Sequence, residues 1–192
     1  MEVEREIVTW LNQGIGRFYF LDRAIYLVVS DYFVPLVMCF WALGVWFHGK
    51  DAPARERNQR AVLSAAISLG FANLAVLVLN QRFFRERPFM HHELSNLLYQ
   101  PTDSSFPANP AAVAFALAMG IWLGNRRASV VLFFLAAVWS LARVSNGLFY
   151  PSDVVVGGLI GVAVACVVTL AIRAIEPIPT WVLKGARLLH LA

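Results

Sequence analysis

Residues 154–172 read VVVGGLIGVAVACVVTLAI, a run of 19 residues without a charge. A segment this long and apolar on every side suits a helix that crosses hydrocarbon, which takes about 20 such residues. Four more stretches share its character: 24–47, 61–79, 106–124 and 129–148. The whole chain of 192 residues agrees, being 59% hydrophobic and 15% charged with a mean hydropathy of +0.62. Soluble domains are closer to half apolar and a quarter charged. A soluble fold of this length has no interior large enough to hide so much apolar surface. The expected fold is all-α: one domain over residues 1–192, an integral membrane bundle of about five transmembrane helices.

Both ends of the chain look amphipathic. Across residues 2–20, Val3, Ile7, Trp10 and Leu11 recur at helical spacing, with Glu2, Glu4, Arg5 and Glu6 between them. That pattern predicts a helix lying on the membrane surface. The tail from Glu176 through Trp181, Lys184 and Arg187 reads the same way. Asp31 and Pro35 fall inside the first span, and Tyr150 with Pro151 breaks the chain between the fourth and fifth. The first residues carry three glutamates and no basic-then-apolar leader, so no cleavable signal is expected. Cys39 and Cys166 lie in apolar runs and read as small buried hydrophobes.

The net charge is +4, and Lys and Arg together number 16. These charges do not form the single basic face that nucleic acid would require. They sit in short loops: Lys50, Arg55, Arg57 and Arg60 within HGKDAPARERNQR (48–60), then Arg126 and Arg127, then Arg173, Lys184 and Arg187. Five spans place all three groups on one side, which the positive-inside tendency makes cytoplasmic. The 80–105 loop and the 149–153 turn then face outward. Arg82, Arg85, Arg87 and Arg143 break that simple rule by falling on the outer side. A charge within a span costs about 2.5–3.5 kcal/mol on insertion scales, so it has a reason to be there. Planar guanidinium forks suit phosphate oxygens. Arg87 and Arg143 are the expected anion site, and Arg82 and Arg85 read as partners of nearby carboxylates. Asp31, a carboxylate inside a span, is a functional candidate or the partner of an outer arginine.

Three short segments carry a resemblance. RERPF (85–89) holds Arg87 and Pro88; SSFPANPAA (104–112) holds Phe106 and Pro107; ARVSNGLFYPSD (142–153) holds Arg143, Gly147 and Asp153. In order and spacing they resemble the type-2 phosphatidic acid phosphatase superfamily, most closely its bacterial undecaprenyl-diphosphatase branch. The resemblance implies removal of phosphate from lipid phosphates, without a metal or other cofactor. It also implies a bacterial inner-membrane protein with its site on the extracytoplasmic side, and the basic loops put the C-terminus in the cytoplasm.

The departures from that family's pattern fall on its reactive positions. Asn80 stands where the family has a phosphate-binding lysine, Ala108 where it has a serine, and Ala142 where the third motif begins with serine. Pro110 replaces the histidine that protonates the leaving oxygen, and Phe149 replaces the histidine that attacks phosphorus. A phenyl ring has no nucleophilic atom, and a prolyl ring transfers no proton. The resemblance therefore implies the fold and a pseudoenzyme: a lipid-phosphate-binding protein, or an accessory subunit of a larger membrane complex. The ligand would be a membrane lipid, a phosphorylated polyprenyl or glycerolipid. The alternative is an active phosphatase with relocated groups, drawn from His91, His92 and Asp153. Asp153 also suits a helix N-cap, or a pairing with Arg143. Gly157, Gly158 and Gly161 put small residues on one helix face, for packing within the fold or against another subunit.

Overall fold

The computed structural model describes residues 2–16, 19–90, 94, 101–176, 180, 181 and 183. Among the described residues the α-helices are, in order, α1 Glu2–Asn12, α2 Tyr19–Val29, α3 Phe33–Phe47, α4 Ala52–Arg82, α5 Asn109–Trp122, α6 Arg126–Ser145 and α7 Pro151–Ala174. Among the described residues, α4, α6 and α7 are each long and apolar enough to cross a bilayer, and α2 with α3 make a further crossing if taken together. At 14 residues, α5 is about 21 Å long, shorter than hydrocarbon is thick.

That short helix is the hub of the bundle, packing against α4, α6 and α7. Its buried positions are mostly alanine: Ala111, Ala112, Ala114, Ala116 and Ala118. Glycines face it from its neighbours. A methyl group added at Gly161 would lie 2.1 Å from the Ala112 carbonyl, and one at Gly157 would lie 2.4 Å from that of Ala108. The glycines of α7 are thus used for close packing inside this chain. Large apolar side chains point the other way, with Phe40, Phe71, Leu77, Phe134, Leu159 and Leu170 all exposed. Small residues at the contacts of α5, with large apolar side chains on the outside of the bundle, suit a lipid solvent.

Several sequence expectations need correction. The first span is broken: α2 and α3 meet at 61° across Ser30–Tyr32. Pro35 has no N–H to give the Asp31 carbonyl and its ring clashes with that carbonyl, so a continuous helix cannot form there. Ser30 Oγ accepts instead from the Phe33 N–H at 3.1 Å, and the Ser30 carbonyl accepts from Trp139 Nε1 at 3.2 Å. The polar 48–60 loop is mostly helix, because Asp51 caps α4 (Ala54 N to Oδ1 2.8 Å) and Pro53 follows in its first turn. Pro151 starts α7 as its first residue. Cys39 is exposed on α3, and Cys166 is only partly buried.

The N-terminal amphipathic segment ends at Asn12 and is docked on protein as well as shaped for an interface. Val8 is fully buried, Asn12 Nδ2 donates to the Ser145 carbonyl at 2.9 Å, and Glu4 pairs with Arg85 at 2.8 Å. Burial raises the Glu4 pKa, but hydrogen bonds from Ser152 and Arg85 and the Arg85 charge outweigh it and hold the group below its ordinary 4.5. A carboxyl whose pKa is lowered on folding stabilises above its unfolded value and stops doing so as pH falls through the folded one. The unfolding-midpoint gap between wild type and Glu4→Gln is therefore expected at neutral pH and should close below pH 4.5. A gap that persists in acid would mean that Glu4 acts through packing alone. Of the tail, Thr180, Trp181 and Leu183 are helical, while Lys184 and Arg187 lie outside the described residues.

A candidate anion site at one end of the bundle

The segment after α4 and the turn between α6 and α7 lock together above the ends of α4 and α5. Ser105 N donates to the Arg85 carbonyl at 2.8 Å, Phe89 N to that of Gly147 at 3.2 Å, and Ala108 N to that of Asp153 at 3.0 Å. Gly147 turns the chain out of α6 with φ +69°, a conformation favouring glycine. These bonds enclose a cavity of about 170 Å³. Into it come Asn80 from the end of α4, Asn109 and Pro110 from the start of α5, Arg143 from the end of α6 and Phe149 from the turn. Arg87, Asp103, Ser104 and Pro101 close it from the connecting segments, and Asp31 enters from the α2–α3 break.

Both arginines are buried, at 5% exposure each, and both meet a carboxylate. Arg87 Nη2 binds Asp103 at 2.9 Å, while its Nε and Nη1 donate to the carbonyls of Asp103 (3.1 Å) and Leu148 (2.9 Å). Its guanidinium carbon stands 4.4 Å from the centre of the Phe149 ring. Arg143 pairs with Asp31 and rests over Trp139 at 4.9 Å. Two cations and two anions therefore pair at the cavity, with the arginines buried and the carboxylates toward solvent. Three of the lining residues each hold a buried polar atom with no hydrogen-bond partner among the described residues: Arg143 Nε, Asn80 Oδ1 and Asn109 Oδ1. Such atoms are costly to bury unless something polar meets them. The arrangement offers a donor backed by charge, and acceptors beside it, to a small polar group.

Asp153 is not Arg143's partner. It is fully buried at the third position of α7, where it accepts from the Tyr150 N–H at 3.1 Å, pairs with Arg85 and accepts from the Ser105 hydroxyl. It closes a capping box rather than serving as the N-cap itself, because three residues of helix turn its carboxylate back onto the first N–H groups. Arg85 completes this cluster through Ser152 Oγ (2.8 Å) and the Tyr150 ring (4.1 Å). Ala108 is buried beside Gly157, and Ala142 is packed against the apolar cluster that contains Phe149. His91 and His92 lie outside the described residues. Asn109 as a cavity wall, and Trp139 as support for Arg143, were not singled out from sequence. The signal for Trp139 was its position one helical turn before Arg143.

Fold and cavity together define a helical membrane protein whose charged site sits at one end of the bundle. The PAP2 superfamily profile matches residues 61–176, and the chain belongs to that superfamily. Among curated relatives it is 29% identical over 139 residues to the provisionally named undecaprenyl-diphosphatase YbjG of Escherichia coli (strain K12). It is 27% identical over 113 residues to the undecaprenyl-diphosphatase BcrC of Bacillus subtilis (strain 168). These matches cover 69% and 58% of this chain and 63% and 55% of those proteins, less than two thirds of either relative. In fold it is similar to Aquifex aeolicus LpxE (TM-score 0.63, 24% identity, 85% of this chain and 92% of that one). It is also similar to a PAP2-type phosphatidylglycerolphosphate phosphatase from Bacillus subtilis (TM-score 0.62, 18% identity, 92% of this chain and 87% of that one).

Proposed function

We propose that this chain binds the phosphate headgroup of a membrane lipid in the arginine-lined cavity and does not hydrolyse it. One observation carries the reading: Phe149 and Pro110, at the two histidine positions of the family pattern, line the same cavity as Arg87 and Arg143. The Phe149 ring lies under the Arg87 guanidinium, where it supports a cation and offers nothing to attack phosphorus. The Ser104 hydroxyl is engaged with the carbonyls of Phe83 and Phe106 at 3.0 and 3.1 Å. Asp153, the proposed relocated base, is engaged with Arg85, Ser105 and the first turn of α7. Binding is a different matter, because a phosphate oxygen at Arg143 Nε would meet the donor that now lacks a partner.

The names of YbjG and BcrC favour a polyprenyl phosphate as the lipid, and the PAP2 neighbours admit a glycerolipid. Lys50, Arg55, Arg57, Arg126, Arg127 and Arg173 gather at the far end of the bundle, which supports a cavity facing the extracytoplasmic side of a bacterial inner membrane. The test is phosphate release from undecaprenyl diphosphate and phosphatidic acid, run without added metal beside Arg143→Gln. Release is expected to match buffer for both proteins. Retention of undecaprenyl phosphate is expected to fall about tenfold or more in the variant, the effect of losing a charged hydrogen bond. Release that depends on Arg143 would overturn the non-catalytic half of the reading. Retention unchanged by the variant would overturn the binding half.

A further inference from the structure

A larger cavity, about 620 Å³, opens at the opposite end of the bundle. It exists because α5 stops at Trp122 while α4 and α7 run on past it. Gly120, Gly124 and Ala61 line the space. Its volume falls in the range of small-ligand sites. Leu63, Leu123 and Ile172 make apolar walls, and the paired hydroxyls of Ser64 and Thr169 (2.6 Å apart) lie at its inner end.

The rim is charged. Arg60 is held by Glu56 at 3.0 Å, by Glu176 and by Thr180 Oγ1 at 2.8 Å. Arg57 and Arg173 line the same rim and make no hydrogen bond or ion pair among the described residues. Two uncommitted guanidinium groups above an apolar interhelical slot, at the most basic end of a membrane protein, match an amphiphile with an anionic head. We propose that this cavity binds one anionic phospholipid, with its phosphate on Arg57 and Arg173 and an acyl chain along Leu63, Leu123 and Ile172. Arg57, Arg60 and Arg173 outnumber the rim's carboxylates, Glu56 and Glu176, so the rim is net positive toward that phosphate.

This site stands apart from the outer one, and its test keeps them apart. The protein carrying Asp31→Leu and Arg143→Met, which lacks the outer charge pair, is incubated in detergent with phosphatidylglycerol or phosphatidylcholine. Bound lipid is counted by native mass spectrometry. A phosphatidylglycerol adduct is expected in excess over phosphatidylcholine. The added changes Arg57→Gln and Arg173→Gln should reduce that excess on the order of tenfold. Ile172→Trp, which fills the slot and leaves the rim charges, should remove both adducts. Equal adducts of the two lipids, an excess that survives both Gln changes, or adducts that survive Ile172→Trp would each overturn the proposal.

Discussion

Asp31→Ala lowers the stability of the detergent-solubilised protein by about 3 kcal/mol, among the largest effects expected of any single change. Arg143 is 6% exposed at its side chain and faces Asp31 across the break between α2 and α3. Removing the carboxylate leaves a guanidinium buried against Trp139 with its Nε already unpartnered. The loss lies at the lower end for a broken buried pair because the Asp31 side chain is itself 35% exposed. The double change Asp31→Leu/Arg143→Met removes both charges, and apolar replacements of buried pairs are often neutral or stabilising. It is therefore expected to unfold within about 1 kcal/mol of the wild type. If the single variant unfolds like the wild type, the pair does not hold the kink.

Gly161→Val is expected to destabilise by about 3 kcal/mol or more, at the upper end for overpacked cores. The added carbon would meet the Ala112 carbonyl at 2.1 Å and the Ala116 nitrogen at 2.9 Å. Those are backbone atoms of the central helix, so no side chain can swing aside, and α5 and α7 must separate. Gly70→Ala is the matched control. It sits in α4 with nothing within 4 Å of the new carbon, so it should be neutral or stabilise by up to about 1 kcal/mol. Unfolding midpoints measured in one detergent decide the matter. Equal midpoints for the two variants would mean that α5 and α7 are free to adjust their spacing.

Hydropathy made the bundle legible because crossing hydrocarbon is a property of long runs, and runs survive in sequence. It did not show the bend at Ser30–Tyr32, since the flanking residues stay apolar on both sides of the break. Pro35, four residues after Asp31, was the local signal. Motif spacing brought Asn80, Arg87, Pro110, Arg143 and Phe149 to one cavity, because each sits at the end of a helix or in a turn that the fold holds in register. Spacing carried no information on which carboxylate meets which arginine. Asp153 was expected at Arg143 and is found at Arg85, because its place in the first turn of α7 points it at the 83–87 segment. Asp31 reaches Arg143 from a segment 112 residues away in the chain, a distance over which no periodicity speaks.

The contact between α5 and α7 is built of small side chains while many large apolar ones face outward, and this bears on how such a chain diverges. At the rim of the bundle, Phe, Leu, Val and Ile are interchangeable, since lipid asks only that they be apolar. Drift there is nearly free. Around α5 the restriction is on volume, and a single added methyl at Gly157 or Gly161 has nowhere to go. Relatives can therefore fall to 18–24% identity while the backbone still superposes. The trace to follow among distant homologues is the ladder of glycines and alanines between α5 and α7, ahead of any count of shared hydrophobics.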